Sequence, residues 1–349
     1  MSRRSLSLTV ATVALGVLVA VALLVPVPYV VMSPGPTENT LGAFDGKPII
    51  TIKGHRVYDT TGHLNMTTVS VSKPSTHIRL AEVLHAWWDG DQIVLPRDVV
   101  YPPDQTVKQV QKQSKQEMVG SQSAAVVAGL GEAGIDALHT TITSVTSGAP
   151  AQGVFRKGDD VVSVDGTKVA DAAALAQAVG SLKPGTKVAV GVVRDGAKRT
   201  LHVTTEASPD DASKSRIGVR LEDEYDPPFK VNFDLGQKIG GPSAGMMFSL
   251  GIYDKVTKGQ LTGGRFVAGT GTIDPAGEVG QIGGIQQKIA GAQAAGATVF
   301  LVPAGNCKEA ADSSVAGKVE LIKVSTLDQA IKSLHALGSD DQSAITHCG

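Results

Sequence analysis

The sequence predicts a protein of mixed helices and strands, organised as two or three domains behind one membrane-spanning helix. At 349 residues, with 42% apolar and 19% charged side chains, it is long enough for that number of domains at ~150 residues each. It is also apolar enough to form packed cores. One apolar run occupies residues 6–25, and beyond it β-branched runs bounded by Gly, Asn and Pro alternate with helical patterns.

The N-terminal apolar run predicts a membrane anchor. Sixteen of the 20 residues from 6 to 25 are apolar, and 20 helical residues span ~30 Å, the thickness of a hydrocarbon core. A cleaved signal peptide remains an alternative, with residues 20–22 as a cleavage-like triplet, although its apolar region is usually only ~7–15 residues. Arg3 and Arg4 favour a cytoplasmic N-terminus. We therefore expect a single-pass membrane protein whose residues after 28 lie outside the cytoplasm.

Composition and motifs argue against several partners and cofactors. Lys+Arg is 32 and Asp+Glu is 33, so no overall basic field exists to attract nucleic acid. The eight histidines and two cysteines form no His-x-x-x-His or Cys-x-x-Cys pair, so no metal is expected. Residues 269–271 lack the third glycine of a dinucleotide loop, and no P-loop motif occurs in the sequence. We therefore expect no nucleotide and no cofactor.

The two cysteines, Cys307 and Cys348, form an even pair in a chain expected to lie in an oxidising compartment. Cys348 belongs to the polar tail of residues 338–349, and Cys307 follows the loop of residues 303–306. We expect a disulfide that ties the tail to this loop. Two unpaired thiols are the alternative.

The region from 29 to 129 predicts strands followed by helices. Its expected strands are residues 29–32, 48–52 and 67–71, and its expected helices are residues 80–88 and 106–128. Trp87 and Trp88 lie in the first helix. They indicate either a contact with the membrane surface or a half-buried helix face.

Residues 130–206 predict a smaller β-rich unit. Its expected strands are 140–145, 161–164, 187–193 and 200–204, and its helix runs from 171 to 178. The segments SGAPAQGVFRKGDDVVSVDGTKV and LKPGTKVAVGVVRDG resemble a PDZ domain. The resemblance implies that an extended peptide binds by strand addition, with Leu175 and Val179 lining the groove and a terminal-carboxylate loop near residues 135–139. A spacer without a peptide is the alternative. Residues 205–215 are polar and are expected to be a linker.

Ser243 carries the first signal for chemistry. A strand at 231–235 precedes a glycine-rich loop, and Pro242-Ser243-Ala244 opens a helix. The N–H groups at a helix N-terminus are unpaired and the dipole there is positive, which favours a developing oxyanion beside the serine. The simpler interpretation is that Ser243 only caps the helix.

Lys288 carries the second signal. The helix expected at 285–295 places Ile285, Ile289 and Ala292 on one stripe, with Lys288 at its margin. Partial burial of the lysine would lower its pKa and make it a candidate general base. A lysine extending from an apolar face to solvent is the alternative.

The two signals occur in segments that resemble the proteolytic domain of Lon-type serine proteases. These segments are GGPSAGMMFSLGIYD and GTGTIDPAGEVGQIGGIQQKIAGAQAAGATVFLVPAGN, and the resemblance covers roughly residues 216–335. It implies an α+β fold in which Ser243 is the nucleophile, Lys288 is the general base and Thr270 supports the lysine.

The order of segments resembles the membrane-anchored bacterial PDZ-containing Lon-type serine proteases. The expected domains are an anchor (1–28), a β-rich and helical juxtamembrane region (29–129), a PDZ domain (130–206) and a Lon-type protease domain (207–349). The resemblance implies an ATP-independent serine endopeptidase at the cell membrane. Its substrates would be unfolded or membrane-proximal protein segments, selected or gated by the PDZ domain.

Two rival functions are weighed against this one. The sequence Gly-x-Ser-x-Gly around Ser243 also fits an α/β-hydrolase nucleophile elbow, with Asp274 or Asp312 and then His335 in the required order. Few strands surround the motif, however, and no His-Gly-Gly-Gly stretch occurs. The other rival is a non-enzymatic PDZ scaffold with a degenerate Lon-like domain, and the presence of both Ser243 and Lys288 argues against it.

Overall fold

The computed structural model describes residues 3–73, 76, 78–169, 171–236, 239–339 and 341–349. The first helix, α1 (Arg3–Leu24), contains an exposed apolar stretch, Leu6–Leu24, that is long enough to cross a membrane. A signal sequence near the N-terminus has the same properties, so α1 is a candidate for either. The elements after α1 and before the PDZ region are β1 (Tyr29–Asn39), β2 (Ala43–Phe44), β3 (Lys47–Pro48), β4 (Ile50–Lys53), β5 (His63–Val71), α2 (Leu80–Asp89), β6 (Ile93–Pro96), α3 (Arg97–Val100) and α4 (Val107–Glu132).

The middle of the chain, residues 138–225, forms a separate sheet with its own core. It contains the segments that resemble a PDZ domain, and we call it the PDZ unit. Its elements are β7 (Leu138–Val145), β8 (Asp160–Val164), β9 (Thr167–Lys168), α5 (Ala172–Gly180), β10 (Lys187–Arg194), β11 (Ala197–Thr204), β12 (Glu206–Ala207), β13 (Ser215–Arg216) and β14 (Val219–Tyr225). The strand order is β11-β10-β8-β7-β14, with β9 paired to β8. Alternate residues of β10, Val188, Val190 and Val192, are buried because successive strand residues point to opposite faces.

The last part of the chain returns to the first. Its elements are β15 (Lys230–Phe233), α6 (Gly245–Val256), β16 (Phe266–Gly269), β17 (Thr272–Ile273), β18 (Val279–Gly280), α7 (Ile285–Ala294), β19 (Val299–Pro303), α8 (Cys307–Ala311), β20 (Glu320–Val324) and α9 (Leu327–Leu337). The main sheet has the order β20-β19-β16-β5-β1-β6. It therefore mixes strands from both ends of the chain, and β5 pairs in parallel with β16.

Helices cover both faces of this mixed sheet. Along β19, Val299 and Leu301 point into one core, which they share with α4, α6 and α9. Phe300 and Val302 point into the other core, which they share with α7 and α8. The strand is buried on both sides and is accordingly a continuous apolar run rather than an alternating one.

The structure groups the chain differently from the domain boundaries expected from sequence. The juxtamembrane region is not a separate layer, because β1 and β5 lie in the same sheet as β16, and α4 packs against α6. The PDZ unit extends past residue 206, because β14 pairs with β7 along seven registered positions. Residues 205–215 include β12, which pairs with β13, so this segment is a short paired turn and not a free linker.

The C-terminal tail is fixed to the main sheet. Cys307 and Cys348 are joined by a disulfide, with their Cα atoms 5.0 Å apart. The tail also pairs with β20, since Lys323 N–H donates to the carbonyl of Thr346 and Cys348 N–H donates to the carbonyl of Leu321. Sequence reasoning expected the disulfide but had no signal for this backbone pairing.

Candidate active site

Ser243 lies in the loop between β15 and α6, two residues before the helix begins. The N-cap of α6 is Ala244, which makes no side-chain capping bond. Ser243 is half-buried and its hydroxyl does not cap the helix. The interpretation of Ser243 as a simple N-cap is therefore not what the structure shows, and its hydroxyl is left for another role.

Helix α4 holds the loop in front of Ser243. The hydroxyl of Ser121 donates to the carbonyl of Pro242 at 2.9 Å, and the N–H of Gly241 donates to the carbonyl of Ser114 at 2.9 Å. A Cβ atom at Gly245 would lie 2.7 Å from both Ser121 Oγ and Ile273 Cγ2. Only glycine allows α6 to begin this close to α4 and β17. Sequence reasoning missed this support, because α4 lies about 120 residues earlier in the chain and no local pattern indicates the contact.

The backbone of Ser243 is fixed from the other side by the loop after β16. Its carbonyl accepts hydrogen bonds from the N–H of Gly271 at 2.9 Å and from the hydroxyl of Thr270 at 2.9 Å. Among the described residues, no hydrogen bond is found for the N–H of Ser243 or Ala244. These two donors lie at the positive end of α6, where an oxyanion would be stabilised.

Lys288 is more deeply buried than its place in the helix pattern suggests. It lies on α7, which begins after Gly284, a residue with φ of +70° that lies close to Met32 and Val69. Only 3% of Lys288 is exposed. The margin of the Ile285 stripe is covered because α7 packs against β1 and β5, and a single-helix pattern cannot show this packing.

The Lys288 ammonium has one polar contact in the described structure. Its Nζ donates to Thr270 Oγ1 at 3.1 Å, and no salt bridge to it is found among the described residues. Burial without a counter-charge lowers the pKa of Lys288 from 10.5 to about 8. The neutral amine is therefore accessible near physiological pH, as a general base requires.

The structure brings the three predicted site residues together. Lys288 contacts Thr270, and Thr270 contacts the backbone of Ser243. Ser243 and Lys288 line the same cavity, but no hydrogen bond joins their side chains among the described residues. Unliganded sites often show such loose pairs, which tighten when substrate binds.

The cavity is a groove of about 650 Å³. One wall is the C-terminal half of β5, and the other walls are α4 and the loop before α6. The pairing of β5 with β16 stops at Met66, so the following residues have β1 on one side and the groove on the other. These residues are Thr67, Thr68, Val69, Ser70 and Val71.

The residues of the rival hydrolase triad are not brought to this groove. Its described lining residues include neither His335 nor Asp274 nor Asp312. Asp274 accepts a hydrogen bond from the N–H of Glu278 in the β17–β18 turn, and His335 lies on α9. The α/β-hydrolase interpretation therefore has no base next to Ser243 within the described residues.

A second groove lies on the PDZ unit. It measures about 230 Å³ between α5 and β14, and Leu175 and Val179 line it as expected. The adjacent loop differs from the expected one near residues 135–139, because the lining includes residues 215–219 and 221. The reason is that β14 pairs with β7 and becomes the edge strand beside α5.

Comparison with known protein families agrees with these two regions. Residues 109–205 match the PDZ domain family, and residues 237–337 match the Lon protease (S16) C-terminal proteolytic domain. A PDZ domain and a Lon proteolytic domain are therefore present. Each match covers less than a third of the chain. The first begins inside α4, which the structure packs against α6.

Individual relatives match one region each. The Lon protease of Rickettsia bellii is 32% identical over 124 residues, or 35% of this chain and 16% of that protein. A probable periplasmic serine endoprotease DegP-like of Pseudomonas fulva is 41% identical over 93 residues, or 23% of this chain and 19% of that protein. The chain thus spans less than a fifth of the length of these relatives. The PDZ domain of the SdrC-like protein of Listeria monocytogenes aligns with 24% of this chain and 85% of its own, at 20% identity and a TM-score of 0.22, which is too low to support an argument.

Proposed function

We propose that the protein is a serine endopeptidase that works without ATP, with Ser243 as nucleophile and Lys288 as general base. The observation that carries the proposal is the burial of Lys288 in the groove that also contains Ser243, with no counter-charge beside it among the described residues. The lowered pKa supplies a neutral amine, and the Lon-type match to residues 237–337 supports the same assignment.

In the proposed mechanism, neutral Lys288 takes the hydroxyl proton of Ser243 as Ser243 Oγ attacks the scissile carbonyl. The N–H groups of Ser243 and Ala244 stabilise the oxyanion. Lys288 then gives the proton to the leaving amine, and a water molecule, deprotonated by the same lysine, hydrolyses the acyl-enzyme. Thr270 is a positioning residue, since it contacts both Lys288 Nζ and the Ser243 carbonyl.

The grooves indicate how a substrate binds. The free edge of β5, from Thr67 to Val71, offers backbone groups to an extended peptide that passes Ser243. We propose that substrates are unfolded or extended protein segments, because an extended strand is what this edge accepts. The groove between α5 and β14 accepts a second stretch of peptide, through which the PDZ unit selects or gates substrates.

We call the main sheet and the helices that cover its two faces the protease unit. We further propose that α1 anchors the protein in the cell membrane with the protease unit outside the cytoplasm. The support is the exposed apolar stretch Leu6–Leu24, the positive charge before it, and the Cys307–Cys348 disulfide, a bond typical of oxidising compartments. Protease added to spheroplasts should digest residues after Tyr29. Protection of the whole chain would contradict this orientation.

Hydrolysis of an unstructured fluorogenic peptide by the purified full chain tests the activity. Ser243→Ala and Lys288→Ala should each abolish turnover, and the double variant should be no worse than either, because the two groups act as a unit. Circular dichroism should show the same secondary structure as the unmodified protein, which separates lost chemistry from lost folding. Absence of hydrolysis in the unmodified protein across substrates would favour the scaffold function instead.

A further inference from the structure

Helix α2 exposes a large apolar face. At ~100° per residue, Leu84, Trp87 and Trp88 fall within one sector of about 100°, and we call these three residues the tryptophan face. Trp87 is 80% exposed and Trp88 is 93% exposed. The interpretation of the twin tryptophans as a half-buried helix face is therefore wrong. Two adjacent exposed indoles form an apolar patch of the kind that marks an interaction site.

The other sides of α2 either pack against the fold or form a polar surface. Ala86 is buried and Val83 is half-buried against the fold. Glu82, His85 and Asp89 form a polar, exposed side. The apolar residues of α2 thus occupy a wider sector of the helix than the fold covers. The tryptophan face is the part of this sector that stays exposed.

The location of α2 indicates what covers this face. The N–H of Leu80 donates to the carbonyl of Val25 at 3.2 Å, and the N–H of Val27 donates to the carbonyl of Ile78 at 2.9 Å. The first residue of α2 is therefore hydrogen-bonded to Val25, the first residue after α1. The 10 residues of α2 extend only ~15 Å from this point. Tyr29, also exposed, is the first residue of β1 and directly follows the short connection after α1. Tryptophan and tyrosine are the residues that favour the boundary between headgroups and acyl chains.

We propose that the tryptophan face inserts into the interfacial layer of the bilayer that α1 crosses. The proposal rests on the membrane anchoring proposed above and adds a second attachment point to it. With α1 alone, the protease unit would pivot about residues 25–28. With α2 lying on the surface, the unit has a fixed orientation towards the membrane, and the groove at Ser243 stays at a fixed height above it.

The chain contains only two tryptophans, so tryptophan fluorescence of the full-length protein, excited at a wavelength that tyrosine does not absorb, reports on this face alone. The protein is reconstituted in phosphatidylcholine vesicles with ordinary or brominated acyl chains. We expect a blue-shifted emission maximum, loss of intensity with brominated lipid, and weak quenching by iodide. A chain that floats with the vesicles but shows water-like emission and strong iodide quenching would overturn the proposal while leaving the anchor intact. A chain that does not float would overturn both.

A matched control places one tryptophan on the opposite side of the same helix. In Trp87→Phe/Trp88→Phe/Glu82→Trp, the new indole replaces an exposed polar residue, and its emission should stay water-like and open to iodide. Equal quenching of this variant by brominated lipid would contradict the facial orientation. A blue-shifted native emission without any quenching by brominated lipid would assign the face to a contact with a second copy of the chain, and would also overturn the proposal.

Discussion

Two cationic side chains in this molecule, one half-buried and one buried, have opposite environments. In the PDZ unit, Arg194 is paired with Asp159, with Arg194 Nε and Asp159 Oδ1 2.6 Å apart and side-chain exposures of 13% and 1%. In the protease unit, Lys288 is more deeply buried and has, among the described residues, only the hydroxyl of Thr270 for a partner.

The consequences for protonation differ in the same way. Burial raises the pKa of Asp159, but hydrogen bonds from Arg194 and Arg156 outweigh it and lower the pKa overall. Burial of Lys288 is not offset and lowers its pKa to about 8. Pairing offsets the cost of burying a charge, whereas an unpaired buried charge costs stability and provides a base.

The largest expected effect is on activity, from Lys288→Arg. Guanidinium stays protonated at any accessible pH, so peptide hydrolysis should fall to the level of Ser243→Ala. The control is Lys255→Arg, at a lysine whose pKa burial also lowers but which does not line the groove, and this variant should keep its activity. Near-normal rates in a folded Lys288→Arg protein would show that another group is the base.

Breaking the paired charge should cost stability. Arg194→Met leaves Asp159 buried without its partner, so the PDZ unit should lose about 3–5 kcal/mol of its free energy of unfolding. Hydrogen exchange of the amides in β8 and β10 measures this loss within the full chain. Arg194→Met/Asp159→Asn removes both charges and should recover part of the loss. A loss no smaller in the double variant would mean that packing, and not charge, is responsible.

Removing the unpaired charge of Lys288 should raise the free energy of unfolding, whereas breaking the Arg194–Asp159 pair should lower it. The pKa of Lys288 is about 8 in the folded state against 10.5 for an ordinary lysine, so below pH 8 the folded protein holds a buried charge at a cost of about 3 kcal/mol. Lys288→Met should therefore raise the free energy of unfolding at pH 7, measured by hydrogen exchange in α7. In the unmodified protein this free energy should increase between about pH 8 and 10.5, because only the unfolded chain still binds the proton there. A Lys288→Met variant with a lower free energy of unfolding than the unmodified protein at pH 7 would contradict this prediction.

The smallest effect on activity is expected from a change at Thr270, whose hydroxyl accepts a hydrogen bond from Lys288 Nζ. Hydrolysis by the unmodified protein should increase with pH, with a midpoint near 8. Thr270→Val removes the hydrogen-bond acceptor that favours the charged amine, so the midpoint should move to lower pH, while kcat falls by about 2- to 12-fold for one net hydrogen bond of ~0.5–1.5 kcal/mol. Thr270→Ser keeps the hydroxyl and should restore both values. A fall in kcat with an unmoved midpoint would assign Thr270 to packing alone.

Much of this molecule could be predicted from the sequence because its signals are local. The period of apolar residues and the turn residues indicated α2, α4, α5, α6 and α7 to within a few positions. The capping box at Thr106 and the Asp171 cap each lie within four residues of the N–H groups they satisfy. The segments around Ser243 and Lys288 were long enough to carry a family resemblance.

What only the tertiary structure decided depends on contacts between distant parts of the chain. The pairing of β5 with β16 joins residues about 200 positions apart, and the Thr67 hydroxyl reaches the carbonyl of Gly269 across the same distance. No periodicity encodes such partners, so sequence reasoning separated β1, β5 and α4 from the catalytic unit. The same packing covers Lys288 and forms the groove. The proposed base, Lys288, could therefore be named from the sequence, but the full burial that lowers its pKa was a product of the fold.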